Sequence, residues 1–164
     1  MNNTIYTYKY KGKLMELKSL GTQSLPKLDE IISVHIIAFT NDKKIIAVNV
    51  ISRGVDLPGG HVELGEKTPQ ETLTRETMEE ARIVTQEPIL VDVFEISSID
   101  PAFIKKKYLL VYTAKIKKIH KFIPTSEISE RLYLSQDELL ERYFGDSGNL
   151  KRLTNDAAVK LGLK

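Results

Sequence analysis

The segment LPGGHVELGEKTPQETLTRETMEEA, residues 57–81, decides how this chain is expected to fold and what chemistry it is expected to carry. It places two adjacent glycines ahead of a helical pattern that carries Glu76, Glu79 and Glu80. Carboxylates so close together repel one another, which destabilises the fold unless solvent screens them or a cation binds among them. The segment therefore predicts either a solvated acidic surface or a cation site.

The start of this helix is marked by the sequence TPQE, residues 68–71. Threonine can cap the free amides, proline fits the first turn, and a glutamate three residues on can reach back. With about 100° of rotation per residue, the three later glutamates fall within an arc of roughly 100°. A stripe beside that arc is expected to face a sheet, and its members are Leu73, Thr77, Ala81 and Val84. The sequence thus predicts a helix from Thr68 to about Ile83.

Two alternatives account for the acidic face. A bare Glu-x-x-Glu-Glu pattern is usually solvated surface, but here Glu63 and Glu66 precede the helix, and Gly59 and Gly60 allow a close backbone approach. More oxygen ligands can therefore converge at one point. Hard divalent cations such as Mg²⁺ take oxygen ligands and usually retain waters and substrate phosphates, which suits an acidic cluster. The surroundings of the pattern favour a metal that binds phosphate.

The pattern Gly-x5-Glu-x8-Arg-Glu-x-x-Glu-Glu, within the box Gly60–Ile83, resembles the signature box of the Nudix hydrolases. In that family the box forms a loop–helix–loop that binds magnesium and a diphosphate. The resemblance implies an α/β fold, a Nudix-like α/β/α sandwich with a mixed β-sheet. It also implies Mg²⁺-dependent hydrolysis, with Mn²⁺ as a second candidate ion, of a phosphoanhydride bond in a nucleoside diphosphate linked to another moiety.

The resemblance gives the residues of the box their expected roles in catalysis. The metal ligands are expected to be Glu76, Glu79, Glu80 and the carbonyl of Gly59. The catalytic set consists of the same three glutamates and Arg75, which is expected to orient the carboxylates rather than to contact substrate. A metal held in this way would neutralise the diphosphate and lower the pKa of a bound water.

The substrate side of the site is expected at the glycine segment, where Gly59, Gly60 and His61 would approach the bound molecule. A local hydrogen bond is the alternative role for this histidine. The sequence leaves two alternatives for the general base, namely Glu76 or an acid from a later loop. The candidates for that later acid, each of which also reads as surface charge, are Glu95, Asp100 and Glu127.

Three positions depart from the family pattern. The spacer before Arg75 has eight residues rather than seven, and we assign the extra one to Lys67 in the loop, so that the helix register survives. The contact expected between Glu66 and Arg75 is then at risk, because an extra residue can displace the loop glutamate. Thr77 replaces an aliphatic residue and keeps a methyl group for packing. Arg82 replaces a glycine, and at a left-handed helix exit arginine costs on the order of 1–2 kcal/mol.

The whole chain has the composition of an ordinary globular protein. It has 164 residues, of which 41% are hydrophobic and 28% charged, and no internal repeat, so a single domain over residues 1–164 is expected. No apolar run approaches the roughly 20 residues that cross a bilayer, so a membrane protein is not expected. The sequence has no cysteine, which excludes thiol catalysis and favours a cytoplasmic location.

Strands are predicted on both sides of the acidic helix. An N-terminal hairpin over roughly 4–18 turns at Lys11-Gly12, and the β-branched runs 32–40 and 44–52 form an antiparallel pair. The later strands are predicted at 87–97, 107–118 and 131–135. Two late helices are predicted, one from Ser135 until Gly145 stops it and one over 148–161. This order indicates a mixed sheet covered by helices on its faces.

The charge of the chain bears on its partners. A net charge of +2 is too small to favour nucleic acid, and the lysine-rich stretch 105–121 indicates a solvated strand, with a phosphate-attracting rim as the alternative. A nucleotide-type small molecule is the expected partner, and the sequence does not fix the oligomeric state. Two rival functions stay open, namely a non-catalytic nucleotide-binding or regulatory module of the same fold, and a pyrophosphohydrolase that processes RNA ends.

Overall fold

The structure is a computed structural model that describes residues 5–10, 12–98 and 107–164. Its strands are β1 (Ile5–Tyr10), β2 (Lys13–Ser19), β3 (Ile31–Phe39), β4 (Ile45–Val50), β5 (Gly54–Asp56), β6 (Gly59–His61), β7 (Ile83–Thr85), β8 (Ile89–Ser98), β9 (Lys107–Ile119) and β10 (Ile128–Leu134). Its helices are α1 (Pro69–Glu76), α2 (Gln136–Arg142) and α3 (Ser147–Lys160), with a 3-10 turn at Leu28–Glu30 and a π turn at Thr77–Ala81. In the described ranges, no helix combines the length and the apolarity that a membrane span requires.

The strands form a mixed sheet in the order β1-β2-β8-β9-β3-β4-β10. The short strands β5, β6 and β7 pair with β4, β3 and β9, respectively. Strands β3 and β9 run parallel, whereas β8 and β9 and also β3 and β4 are antiparallel. The prediction of a mixed sheet is confirmed, and the parallel pair lies at its centre.

Strand β3 shows why helices cover both faces of the sheet. Its side chains alternate, so that Ile37 and Phe39 belong to a buried cluster with residues of α2 and α3. Ile36 and Ala38 point the other way and belong to a second buried cluster, which includes Leu73 of α1. Because successive strand residues face opposite sides, one strand contributes to both cores. The predicted α/β/α sandwich is confirmed.

Several predicted elements are observed close to their predicted bounds. The N-terminal hairpin is present as β1 and β2, although Lys11 of its predicted turn lies outside the described residues. Helix α1 begins as predicted, with Thr68 Oγ1 accepting a 3.2 Å hydrogen bond from the Glu71 amide. Helix α2 has the predicted capping box, in which Ser135 and Glu138 each accept a hydrogen bond from the other's amide.

Other elements differ from the predictions. The glycine segment is not a loop but strand β6, because Gly59 and Gly60 pair with His35 and Val34 of β3. Helix α2 ends at Arg142, before Gly145, because the next residues turn extended and hydrogen-bond the sheet at strand β5. The acidic helix is α-helical only as far as Glu76 and then widens into the π turn. The predicted rotation of about 100° per residue is therefore wrong for residues 77–81.

A buried carboxylate fixes the N-terminal hairpin to the end of the chain. Asp92 of β8 is 1% exposed and accepts hydrogen bonds from Ser19 Oγ at 2.7 Å and from the Gly21 amide at 3.0 Å. Arg152 of α3 completes the cluster, with Nη2 2.6 Å from Asp92 Oδ2 and Nε 3.1 Å from the Tyr6 hydroxyl. The ion pair therefore joins the first strands to the last helix.

Removing the arginine of this pair is expected to destabilise the protein. Arg152→Met leaves the buried Asp92 carboxylate without its cation, which costs about 3 kcal/mol in the free energy of unfolding. Urea denaturation measures the change, and the neighbouring exposed variant Lys151→Met is the matched control, expected to be close to wild type. Equal midpoints for the two variants would show that the ion pair does not hold the hairpin.

Candidate active site

The two glycines of the box allow strand β6 to lie tightly against its neighbours. A Cβ atom on Gly59 would lie 2.3 Å from the Val34 carbonyl oxygen, and one on Gly60 would lie 2.3 Å from Glu76 Oε1. Both distances are far below van der Waals contact, so no larger residue fits without displacement. The glycines therefore bring the backbone of β6 directly against the Glu76 carboxylate of α1.

Arg75 is the centre of the acidic cluster. Its Nε lies 2.6 Å from Glu66 Oε1, and its Nη1 lies 2.8 Å from Glu76 Oε1 and 3.2 Å from Glu79 Oε2. Its Nη2 donates to the carbonyl oxygen of His61 at 2.8 Å. With Glu63 Oε1 3.4 Å from Nη1, one guanidinium contacts four carboxylates and the end of β6, a geometry that can orient the acids.

The extra loop residue does not displace Glu66 from Arg75. Lys67 is accommodated at the entry to the helix, where its amide donates to Glu71 Oε2 at 2.6 Å. Glu66 also accepts hydrogen bonds from Thr72 Oγ1 at 2.5 Å and from the Glu63 amide at 2.8 Å. The hydrogen bond from Arg75 above all lowers the pKa of Glu66 to about 2. Glu66 is therefore held as a charged structural acceptor.

The pKa values of Glu76 and Glu80, which lie deeper in the site, are raised rather than lowered. Burial raises the pKa of Glu76, and the hydrogen bond from Arg75 offsets part of that effect. Burial also raises the pKa of Glu80 to about 7, against a 3.0 Å hydrogen bond from the Gly59 amide and together with repulsion from Glu76. These two acids lie where a negative charge is unfavourable unless a cation is bound nearby.

The raised pKa of Glu80 predicts a pH-dependent stability. The folded-state pKa is about 7, well above that of an exposed glutamate. The protonated Glu80 carboxyl therefore makes its full contribution to the free energy of unfolding below about pH 4.3, and this contribution is lost as the pH rises through 7. Without metal, we expect the Tm to fall between pH 6 and pH 8 more steeply in wild type than in Glu80→Gln. Thermal melts at both pH values test this, and parallel slopes in the two proteins would contradict it.

An open cleft of about 410 Å³ adjoins these acids. Glu76, Glu79, Glu80 and Arg82 line one side, and the other is lined by Ile123, Thr125, Ser126, Glu127 and Ile128. Of the later acids considered as the base, Glu127 lies in this cleft. Glu95 lies in β8, paired with β2 and β9, and does not line the cleft, while Asp100 lies outside the described residues.

Arg131 is a residue of this region that the sequence did not indicate. It lies on β10, and its Nη1 donates to the carbonyl oxygens of Ala81, at 2.9 Å, and His120, at 2.8 Å. Its guanidinium carbon lies 5.7 Å and 5.5 Å from the ring centroids of Phe122 and Tyr133. Arg131 therefore ties the end of the π turn to the segment that forms the opposite wall of the cleft. Its position in an alternating strand pattern gives no signal for this role.

The tyrosine and histidine side chains near the acidic helix differ in burial. Tyr112 is 2% exposed and belongs to the buried cluster beneath α1, whereas Tyr133 packs on Arg131. His35 lies in β3, where burial lowers its pKa, in line with a structural role. His61 is exposed, and it is the carbonyl of this residue that contacts Arg75.

The donor set of the cleft consists of oxygen atoms, which fits a hard divalent cation such as Mg²⁺. Within the described ranges, however, no group of three or more His, Cys, Asp or Glu side chains is arranged to hold a metal ion. In the described residues, Arg75 Nη1 contacts the carboxylates of Glu76 and Glu79, the Glu79 side chain is 58% exposed, and Glu80 accepts a hydrogen bond from the Gly59 amide. The residue types fit a divalent cation, and in this structure Glu76 and Glu79 pair with Arg75 while Glu80 pairs with the Gly59 amide.

The fold is an α/β/α sandwich whose open cleft adjoins a glutamate cluster centred on Arg75. The family described as the NUDIX domain matches residues 30–154. The chain therefore belongs to the NUDIX family and is a Nudix-type hydrolase that acts on phosphoanhydride bonds. At the level of the family, its function is that of a nucleotide pyrophosphohydrolase. None of the curated proteins compared with the chain matches it.

Solved structures share the fold at low sequence identity. The Bacillus subtilis pyrophosphohydrolase BsRppH aligns with 96% of this chain and 98% of its own, with 21% identity and a TM-score of 0.70. The NUDIX domain of Shewanella oneidensis NrtR, solved with ADP ribose, has 18% identity and a TM-score of 0.62 over 80% of this chain and 88% of its own. A C. elegans Ap4A hydrolase has 15% identity and a TM-score of 0.60 over 80% of this chain and 99% of its own.

Proposed function

We propose that this Nudix hydrolase uses Mg²⁺, or Mn²⁺ in its place, to hydrolyse a phosphoanhydride bond in a nucleoside diphosphate linked to another moiety. The observation that carries the proposal is the convergence of Glu76, Glu79 and Glu80 on one open cleft. Family membership and the nucleotide-type ligands named for two of the solved relatives support the substrate class. The proposal includes the cytoplasmic location and the single domain predicted from the sequence.

The proposed metal ligands are Glu76, Glu79, Glu80 and the carbonyl of Gly59. Glu79 reaches its place by leaving Arg75, which costs little because that side chain is exposed and makes a single 3.2 Å contact there. A bound Mg²⁺ would neutralise the diphosphate and supply an activated water at neutral pH. Glu80 needs only to lose its proton near pH 7, and Arg75 continues to orient Glu76.

The groups proposed to act on the substrate come from strand β6 and from the acids that line the cleft. Gly60 and His61 of strand β6 are proposed to approach the bound nucleotide, next to the carboxylate of Glu76. Both Glu76 and Glu127 line the cleft, and the general base is proposed to be Glu127 if Glu76 is a metal ligand, or Glu76 if the other ligands hold the metal. The base takes a proton from the attacking water, the water oxygen bonds to one phosphorus, and the bridging P–O bond breaks to release two phosphorylated fragments.

A second candidate function is a nucleotide-binding module without turnover. The observation that favours it is that Arg75 Nη1 already contacts the carboxylates of Glu76 and Glu79. Under this alternative, Arg75 keeps the glutamates in their present positions and the cleft binds a nucleotide without hydrolysing it. The two functions therefore differ in whether the acids contribute to turnover.

A hydrolysis screen with Mg²⁺, in which chromatography separates the phosphorylated products from the intact substrate, tests the proposal. The panel consists of nucleoside triphosphates, nucleotide sugars, dinucleoside polyphosphates, ADP-ribose and 5′-triphosphorylated RNA. Wild type is expected to hydrolyse at least one of the nucleotide members, and Glu79→Gln is expected to lose most of that turnover while staying folded. The exposed variant Glu130→Gln on strand β10 is the control and is expected to match wild type.

Three results would change the conclusion. Equal turnover in wild type and Glu79→Gln would overturn the site assignment. If wild type hydrolyses no member of the panel, the function is that of a nucleotide-binding module without turnover. If wild type hydrolyses only the RNA, the function is that of a pyrophosphohydrolase that processes RNA ends.

A further inference from the structure

Arg82 adopts a backbone conformation that favours glycine. Its φ of 56° and ψ of 42° are left-handed, and among the described residues Lys43 is the one other non-glycine with positive φ. This conformation costs an L-residue on the order of 1–2 kcal/mol. The family pattern has glycine here, so the chain retains the helix exit and carries the strain of a side chain as well. Such strain often marks a functional position.

The fold does not need the side chain of Arg82. The helix exit depends on backbone bonds, since the Arg82 amide donates to the Thr77 carbonyl and the Arg82 carbonyl accepts from the His120 amide at 2.8 Å. Glycine would make the same bonds without strain. In the part of the chain that the structure describes, the Arg82 guanidinium has no hydrogen bond or ion pair that would offset the strain. The side chain is therefore available for another molecule.

The position of Arg82 points to the charge of that molecule. It lines the cleft together with Glu76, Glu79 and Glu80, and it is the one cationic residue among the described residues of the lining. Arg75 lies close by, but its guanidinium is already engaged by carboxylates. A polyanionic substrate would otherwise meet mainly negative charge in this cleft, and a guanidinium binds phosphate oxygens in pairs.

We propose that Arg82 is a substrate-binding residue, which donates hydrogen bonds to a phosphate of the bound nucleotide from the exit of the acidic helix. The inference rests on the proposed function, because it takes a phosphoanhydride as the molecule in the cleft. It assigns a role to a position where the family pattern has no side chain. Arg82 thus contributes to affinity for the phosphate chain, while the glutamates carry the chemistry.

The variant Arg82→Gly separates this role from a structural one. It removes the guanidinium and also relieves the left-handed strain, so the Tm is expected to rise. The KM of the substrate found in the screen is expected to rise tenfold or more, with a smaller change in kcat. Calorimetric titration with Mg²⁺ and α,β-methylene-ADP is expected to show the same loss of affinity, and Arg82→Lys is expected to recover part of it. Hydrogen bonds to charged groups account for a loss of this size.

Lys43→Gly is the matched control, because it relieves the same strain in the exposed turn before β4. It is expected to raise the Tm and leave both KM and analogue affinity unchanged. If wild type hydrolyses its substrate and Arg82→Gly keeps the wild-type KM and affinity, the inference is wrong and the proposed function stands. If wild type has no turnover but Arg82→Gly weakens analogue binding, the inference stands and the proposed function is wrong. If wild type neither hydrolyses any member of the panel nor binds the analogue, both are wrong.

Discussion

Replacing Glu80 with glutamine is expected to lower kcat by about 100-fold or more, because a metal ligand beside the reacting phosphate is lost. The fold is expected to survive. Glutamine keeps an oxygen that can accept the 3.0 Å hydrogen bond from the Gly59 amide, and it removes a carboxylate whose pKa burial has raised to about 7. Steady-state kinetics at saturating Mg²⁺ measure the effect, with the Tm as the check on folding.

The Tm and the turnover of Glu80→Gln together distinguish the loss of a metal ligand from a loss of folding. A variant that melts at or above the wild-type temperature at pH 8 and has almost no turnover identifies Glu80 as part of the catalytic machinery. Glu130→Gln again serves as the control for a glutamate far from the box in sequence and exposed to solvent. Turnover within threefold of wild type in Glu80→Gln would contradict its assignment as a metal ligand.

Replacing Gly60 with alanine is expected to have an effect of similar size through geometry alone. The new Cβ would lie 2.3 Å from Glu76 Oε1 and 2.4 Å from its carboxyl carbon, so the carboxylate or strand β6 has to move. A displacement of about 1 Å at a catalytic group can cost about 100-fold in rate. We expect a loss of turnover on that order and a weaker apparent affinity for Mg²⁺, both measured by titrating the metal in activity assays.

Gly148→Ala is the matched control for this substitution. Gly148 lies in helix α3, where alanine is favourable by up to about 1 kcal/mol and the nearest atom to its Cβ is Asp146 Oδ1 at 3.2 Å. We expect wild-type turnover from this variant. If Gly60→Ala also keeps wild-type turnover and metal affinity, the close approach of β6 to Glu76 is not part of the site.

The elements that the sequence predicts well are those whose determinants are local. The start of α1 follows from Thr68 and the residues just after it, and the capping box of α2 follows from Ser135 and Glu138, because each signal lies within one helical turn. The apolar stripe of Leu73, Thr77 and Ala81 is buried as predicted. Val84 is the exception, since it lies in strand β7 beyond the helix exit.

The features that the sequence does not predict depend on distant residues. Two glycines have low strand propensity, and β6 exists because β3 offers them a backbone partner. The π turn at 77–81 changes the helical phase, and Arg131 binds its last carbonyl from a strand 50 residues later. The contact between Glu66 and Arg75 survives an inserted residue because the loop before α1 absorbs it. Each of these outcomes is set by tertiary packing.

The central claim is that a divalent ion binds among the carboxylates of the acidic turn. Anomalous diffraction from a crystal soaked in Mn²⁺ and α,β-methylene-ADP tests it most directly. The account predicts a manganese peak bounded by Glu76, Glu79 and Glu80, with Glu79 moved away from Arg75 and the analogue's phosphates on the ion. A bound analogue with no anomalous peak between these three side chains, and Glu79 still on Arg75, would contradict it.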